Sequence, residues 1–321
     1  MTIPPAQTEK DPQQTLHVNI IGPLMIRRGT RLLDARQLGG PKPRQILEIL
    51  LLHVGVPVSK HRLIDLLWGG NPPREALTSL ESYVSVLRRN LQPGAGRSGP
   101  LRTTTGGYVI DADAVELDLT EFETLVRDAQ QVGPHEAHAL LVEALSLAVG
   151  PLLGDELRPA WAEEERHRHG VAVTHARVLA AEAALAIGRA DKAVRQADDA
   201  LADDPLNERA WTVRILGLEK SGRHAEGLRA YAECRTVLDR ELGCEPSQAL
   251  RDAHARLLLA TANEGDDLSE AVSALLLLNQ QLTASRPNGQ TRFTQGVADS
   301  AAVQAATQVI TSFVRRVLTA A

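Results

Sequence analysis

The sequence has little of what builds a disulfide scaffold, a metal centre or a membrane span. Two cysteines, Cys234 and Cys244, occur in 321 residues; they are too few for a disulfide framework and lack the CxxC spacing of metal or redox motifs. Lysine occurs five times beside thirty arginines, a bias that fits a GC-rich genome and carries no mechanism. No apolar run approaches the ~18–20 residues needed to cross a bilayer, so no membrane association is expected. Met1–Gln14 holds three prolines and no apolar core of the kind a secretory signal needs. These absences point to a reducing, cytoplasmic setting, in association with the nucleoid if the partner is DNA. HExxH, nucleophile-elbow and Walker A lysine motifs are missing too, and an enzyme is not expected.

Two partial motifs lose their force in context. Gly94, Gly96 and Gly99 spell GxGxxG, but they follow a helix pattern, lie between Pro93 and Pro100, and open no helix, so a dinucleotide site is excluded. His167, His169 and His175 sit on a charged helix pattern. His167 and His169 point about 200° apart at ~100° per residue, so neither a metal nor any other cofactor is expected.

What is present is an uneven distribution of charge. The formal net charge is −5, yet residues 16–110 carry 13 Lys and Arg against 5 Asp and Glu, a net of +8, and residues 111–321 carry −12. A basic module joined to an acidic one suggests a polyanion partner for the front portion alone.

Residues 16–27 read as two short strands broken at Gly22-Pro23. Ile46, Leu47, Leu50, Leu51 and Val54 recur at helical spacing after Pro41 and Pro43, which are tolerated in a first turn. Ser59 is an expected N-cap for a second helix ending at Gly69-Gly70. A third helix follows Asn71-Pro72-Pro73, and the stretch LRTTTGGYVI reads as a hairpin turning at Gly106-Gly107. Strands, three helices and a hairpin are the order of a winged helix-turn-helix, whose third helix enters the major groove.

On the wheel of that third helix, Leu77, Leu80, Val84, Leu87 and Leu91 fall within about 80° and are expected to form its core face. The opposite face presents Glu75, Thr78, Ser82, Ser85, Val86 and Arg89. Short hydroxyls allow close approach to base edges, and Arg89 has the fork that takes guanine bidentately. Thr78, Ser82, Ser85 and Arg89 are therefore the candidate base-reading residues. Lys42 and Arg44 in the first turn of the first helix, and Lys60 and Arg62 in that of the second, are candidates for phosphate, as are Arg88 and the wing residues Arg102, Thr103, Thr104 and Thr105.

Beyond Leu117 strands disappear. Gly188-Arg189-Ala190 and Gly222-Arg223-His224 lie 34 residues apart, and each opens a helix. That period is characteristic of tetratricopeptide repeats, which stack into interaction surfaces and have no chemistry of their own. The expected fold is mainly α: an N-terminal α+β winged helix, then an all-α tetratricopeptide-like domain. The expected boundaries are a disordered tail at 1–15, the winged helix at 16–111, the repeat domain at 117–262, and a helical extension at 263–321.

The segments GGPKPRQILEILLLH, VSKHRLIDLLWG, PPREALTSLESYVSVLRRNL and GGYVIDADAVELDLTEFETLV resemble the Streptomyces antibiotic regulatory proteins over about residues 16–262. The resemblance implies an OmpR-like winged helix joined to a bacterial transcriptional activation domain, with no receiver or ATPase domain. It further implies an activator of secondary-metabolite clusters that binds direct repeats in double-stranded DNA near the −35 element. Such an activator recruits RNA polymerase holoenzyme through its sigma factor; a homodimer on DNA is a candidate assembly, and the sequence does not fix the oligomeric state. Val86 departs from the pattern, standing where the family carries Arg or another polar residue. A competing reading from the residues alone is a helical adaptor whose winged helix binds protein.

Overall fold

The structure, a computed structural model, describes residues 15–95, 99–156 and 160–262. The expected extension at 263–321, the tail before Thr15 and Gly96 of the glycine motif lie outside the described residues. The chain divides into two compact units, residues 1–176 and 177–321.

In the first unit β1 (Leu16–Asn19), β2 (Met25–Arg28) and β3 (Arg31–Asp34) form an antiparallel meander, and β7 (Val115–Leu117) joins β1 in parallel. The sequence pattern predicts neither β3 nor β7. Each is short, and in β3 only Leu33 is buried, so alternation leaves almost no signal. A single 3-10 turn, capped by Asp34 and ended by Gly39 in the left-handed conformation, leads to α1 (Pro41–Leu51). β4 (Val58–Ser59) precedes α2 (Lys60–Trp68), where the Ser59 hydroxyl accepts from the Arg62 amide as expected of an N-cap. Then come α3 (Ala76–Leu91) and the hairpin of β5 (Leu101–Thr104) and β6 (Gly107–Ile110), with β6 also pairing β4.

The core of this module is aliphatic: Ile46, Leu47 and Leu50 of α1, Leu63 of α2, Leu80, Val84, Leu87 and Leu91 of α3, and Leu101 and Ile110 of the hairpin are all buried. Leu77 is not among them. It is 50% exposed, which corrects its expected place on the core face: it sits at the edge of the apolar arc, where the wheel begins to turn toward solvent.

The same unit includes α4 (Asp118–Ala129), α5 (Pro134–Leu147) and the start of α6 (Ala160–Ala186). Asp118 opens α4, and its carboxylate accepts from the amides of Ile20 and Ile21 at 3.0 Å and of Leu119 at 2.8 Å. The loop after α5 lies along the β1–β2 turn: Gly22 N–H donates to Pro151 O, Leu153 N–H to Ile20 O, and Gly154 N–H to Gly22 O. A Cβ at Gly154 would stand 2.9 Å from the Gly22 carbonyl, so this approach requires glycine.

The second unit holds the rest of α6, then α7 (Ala190–Asp203), α8 (Glu208–Lys220), α9 (His224–Leu242) and α10 (Gln248–Ala262). The 34-residue period is visible in the hydrogen bonds. Arg189 N–H donates to Ala184 O and Arg223 N–H to Leu218 O, each after a glycine with positive φ. Small residues let the helices approach: Ala193, Ala197 and Ala200 are fully buried, and a Cβ at Gly227 would stand 2.8 Å from Leu257.

Candidate nucleic-acid interface

The outward face of α3 is built as its sequence suggests. Thr78, Ser82, Ser85 and Arg89 are exposed, and the Ser85 hydroxyl is turned back onto the Glu81 carbonyl. Arg89 makes no ion pair or side-chain hydrogen bond among the described residues, and the same holds for Arg62 and Arg74. Val86 has a different role. It is half-buried against the turn before α1, where a Cβ on Gly39 would meet its methyl at 2.3 Å. Its packing against Gly39 accounts for an apolar side chain at a position where the resemblance calls for a polar one.

The wing is fastened to this face through Tyr108, a residue the sequence reading did not single out. Tyr108 is buried, and two cations flank its ring: Lys60 Nζ at 5.8 Å and the Arg88 guanidinium at 5.9 Å from its centroid. Lys60 also donates to Glu81 Oε1 at 2.6 Å, and this hydrogen bond holds its ammonium above the ordinary lysine range. The pair places a counter-charge beside an acid near the reading face. Arg88 donates to Thr103 Oγ1 at 2.7 Å and to the Leu101 carbonyl, tying α3 to β5. Gly107 must lack a side chain, since a Cβ there would stand 2.3 Å from the Val58 carbonyl. On the wing itself Thr103 and Thr105 are exposed, the Thr104 hydroxyl is buried with no hydrogen-bond partner among the described residues, and Arg102 pairs with Asp111.

Lys42 and Arg44 are placed differently. Lys42 donates to the Leu67 carbonyl at the end of α2 and stands 5.5 Å from the Trp68 ring, so it caps a helix C-terminus. Arg44 points inward: its guanidinium pairs with Glu156 Oε1 at 2.5 Å and approaches Glu48 at 3.8 Å, with its side chain 20% exposed. Gln45 also donates to Glu156, at 2.8 Å. Glu48 is buried and neither of its oxygens has a hydrogen-bond partner among the described residues. Burial, reinforced by the charge of Glu156, pushes its carboxyl up to about 8. A lone glutamate inside the apolar run of α1 was the available signal for this cluster.

His169 is buried too, edge-on to Phe122 with ring centroids 5.2 Å apart. Burial lowers its affinity for a proton. The charged helix pattern around it gives no sign of this burial. Among the described residues no group of His, Cys, Asp and Glu is arranged to hold a metal, and no helix is long and apolar enough to cross a membrane.

With this geometry in place, comparison with known proteins gives a consistent answer. Residues 37–110 match the model of the transcriptional regulatory protein C-terminal domain, and residues 117–258 match the bacterial transcriptional activator domain. The chain is 32% identical to the regulatory protein DnrI of Streptomyces peucetius over 270 residues, covering 78% of this chain and 94% of DnrI. It is also 32% identical to the regulatory protein AfsR of Streptomyces griseus over 252 residues, covering 76% of this chain but a quarter of AfsR. Among solved structures it superposes on Mycobacterium tuberculosis EmbR in complex with a low-affinity phosphopeptide. That match has a TM-score of 0.67 at 28% identity and covers 83% of this chain and 71% of the EmbR chain.

Proposed function

Because the chain belongs to the Streptomyces antibiotic regulatory protein family of DNA-binding transcriptional activators, we propose that it switches on a secondary-metabolite gene cluster by seating α3 in the major groove of repeated sites near the −35 element. The observation that carries this reading is the face of α3. It offers three short hydroxyl side chains and an Arg89 without an ion pair among the described residues, while Arg88 of the same helix reaches Thr103 of the wing. Hydroxyls permit close approach, Arg89 supplies a bidentate donor for guanine, and Thr78, Ser82 and Ser85 complete the base-reading set.

Phosphate contacts fall to Arg62, Lys60, Arg88, Arg102, Thr103 and Thr105, while Thr104 faces inward. Lys60, Arg88 and Arg102 must loosen their present partners to reach DNA. For Lys42 and Arg44 the internal partners favour a structural part over direct phosphate binding. The repeat unit then contacts RNA polymerase holoenzyme, with its sigma factor as the partner. A groove of about 410 Å³ lined by Leu185, Val213, Leu216, Arg209 and Lys220 supports a protein ligand there. Two copies side by side on direct repeats complete the assembly in the cytoplasm.

The test is titration of the full chain against the DNA upstream of its own gene and against an unrelated duplex of equal length, across a salt series. Selective binding that weakens steeply with salt is expected, because each neutralised phosphate releases counterions, contributing about 0.9 to the slope of log K against log salt. Unselective or salt-insensitive binding would overturn the reading in favour of a protein-binding adaptor. RNA polymerase holoenzyme added to the specific complex should be retained on it.

A further inference from the structure

Of the large apolar side chains on α1, α2 and α3, Leu77 alone stands largely in solvent, at 50% exposure. It is the second residue of α3, and the first turn of a recognition helix is the part that contacts base edges. Ala76 in that turn is buried and Thr78 is exposed, so Leu77 and Thr78 are the side chains the turn presents outward. One turn further along, on the side of Leu77, comes Glu81. Its carboxylate is drawn aside onto Lys60 of α2 at 2.6 Å, so this acid is engaged within the protein.

A branched aliphatic group in that position has no hydrogen bond to offer a base. Its complement in the major groove is the C5-methyl group of thymine, the one apolar feature on a base edge. We propose that Leu77 is a specificity-determining residue that reads a thymine methyl at the end of the half-site bound by the start of α3. The proposal rests on the DNA-binding reading above.

An operator is first selected by the full chain from a pool of random duplexes, and each thymine in it is then replaced in turn by deoxyuridine, which deletes only the methyl. At one position the wild-type chain should lose about fourfold in affinity, the effect of exposing one buried methyl. Leu77→Ala should bind the thymine operator about fourfold more weakly and be indifferent to deoxyuridine at that position. Leu77→Met, which keeps an apolar group of similar reach, should retain the sensitivity. Thermal melts of both variants should coincide with the wild type, because the side chain is not in the core.

If Leu77→Ala keeps wild-type affinity, or shows the full deoxyuridine penalty, the proposal fails. If it keeps wild-type affinity but loses activation in transcription with polymerase holoenzyme, Leu77 is a protein contact and the proposal fails in that direction. If the wild-type chain selects no sequence from the pool, the DNA-binding reading itself has failed, an outcome distinguishable from the others.

Discussion

The arginines that bridge the repeat helices and the exposed ones around α3 are the same residue in opposite situations, although Arg189 and Arg195 of the repeats are also exposed without an ion pair among the described residues. In the second unit guanidinium groups bridge neighbouring helices: Arg209 takes Glu182 with two parallel bonds at 2.8–2.9 Å, Arg214 joins Asp198 to Glu233, and Arg256 holds Glu219. Around α3, Arg62, Arg74 and Arg89 point to solvent with no acid against them among the described residues. A surface whose charges are matched internally offers a partner shape and apolar contact. A surface whose cations are left unmatched offers a polyanion its counter-charge. Net charge does not locate this difference, because the acidic excess lies mostly in residues 111–176, at −10, while residues 177–321 carry only −2; side-chain pairing locates it.

Lys60 and Arg102 of the basic module also face an acid, but Arg44 is the most buried of the three and is paired internally like the bridging arginines of the repeats. Removing it gives the largest expected effect. Arg44→Ala leaves the carboxylate of Glu156 buried without its counter-charge and should destabilise the first unit by about 3–5 kcal/mol, read as a shift in urea midpoint. Asp118→Ala should cost about 2–3 kcal/mol, since it strips a charged acceptor from the amides of Ile20 and Ile21.

The same cluster sets a pH dependence. Glu48 titrates at about 8 when folded, against 4.5 when not. Below pH 4.5 both states hold the proton and the group is neutral to stability. Between about 4.5 and 8 only the folded state holds it, so stability falls as pH rises through that window, by roughly 1.4 kcal/mol per unit for one full proton. Above 8 the loss is complete. Glu48→Gln should remove this slope, which denaturation at pH 5, 7 and 9 would reveal.

At the reading face the expected effects move from stability to binding. Arg89→Ala should leave the melting curve unchanged and cost about 1–3 kcal/mol of preference for the operator over unrelated DNA. Equal loss on both duplexes would place Arg89 among the phosphate contacts instead. The smallest effect belongs to the repeats. Arg209→Ala removes a half-exposed ion pair and should cost about 0.2–1 kcal/mol of stability with DNA binding untouched. A large effect of Arg209→Ala on DNA affinity would break the division of labour between the two regions.

Much of this architecture is legible in the sequence. The Ser59 cap, the left-handed glycine after α2, the hairpin at Gly106 and the 34-residue period are all local signals, carried by residues within a few positions of one another or by repetition. The strands β3 and β7 escaped because each is too short for alternation to register, and β7 is held in place by a partner almost a hundred residues away, Val115 beside Leu16. The face of α3 was legible as a wheel; its edges were not. Leu77 and Val86 lie where a wheel cannot say whether a neighbouring element reaches far enough to cover them. The turn at Gly39 covers Val86, and nothing described covers Leu77 to the same degree.

By itself, then, the sequence determined the order of elements, the two kinds of module and the chemistry available on the third helix, because these follow from periodicity, capping and composition along the chain. Only the tertiary structure decided which cations remain available. Arg44 and Arg89 look alike in sequence, each in a basic stretch of a helix. One meets a glutamate 112 positions away and the other meets solvent, since ion pairing depends on distance in space.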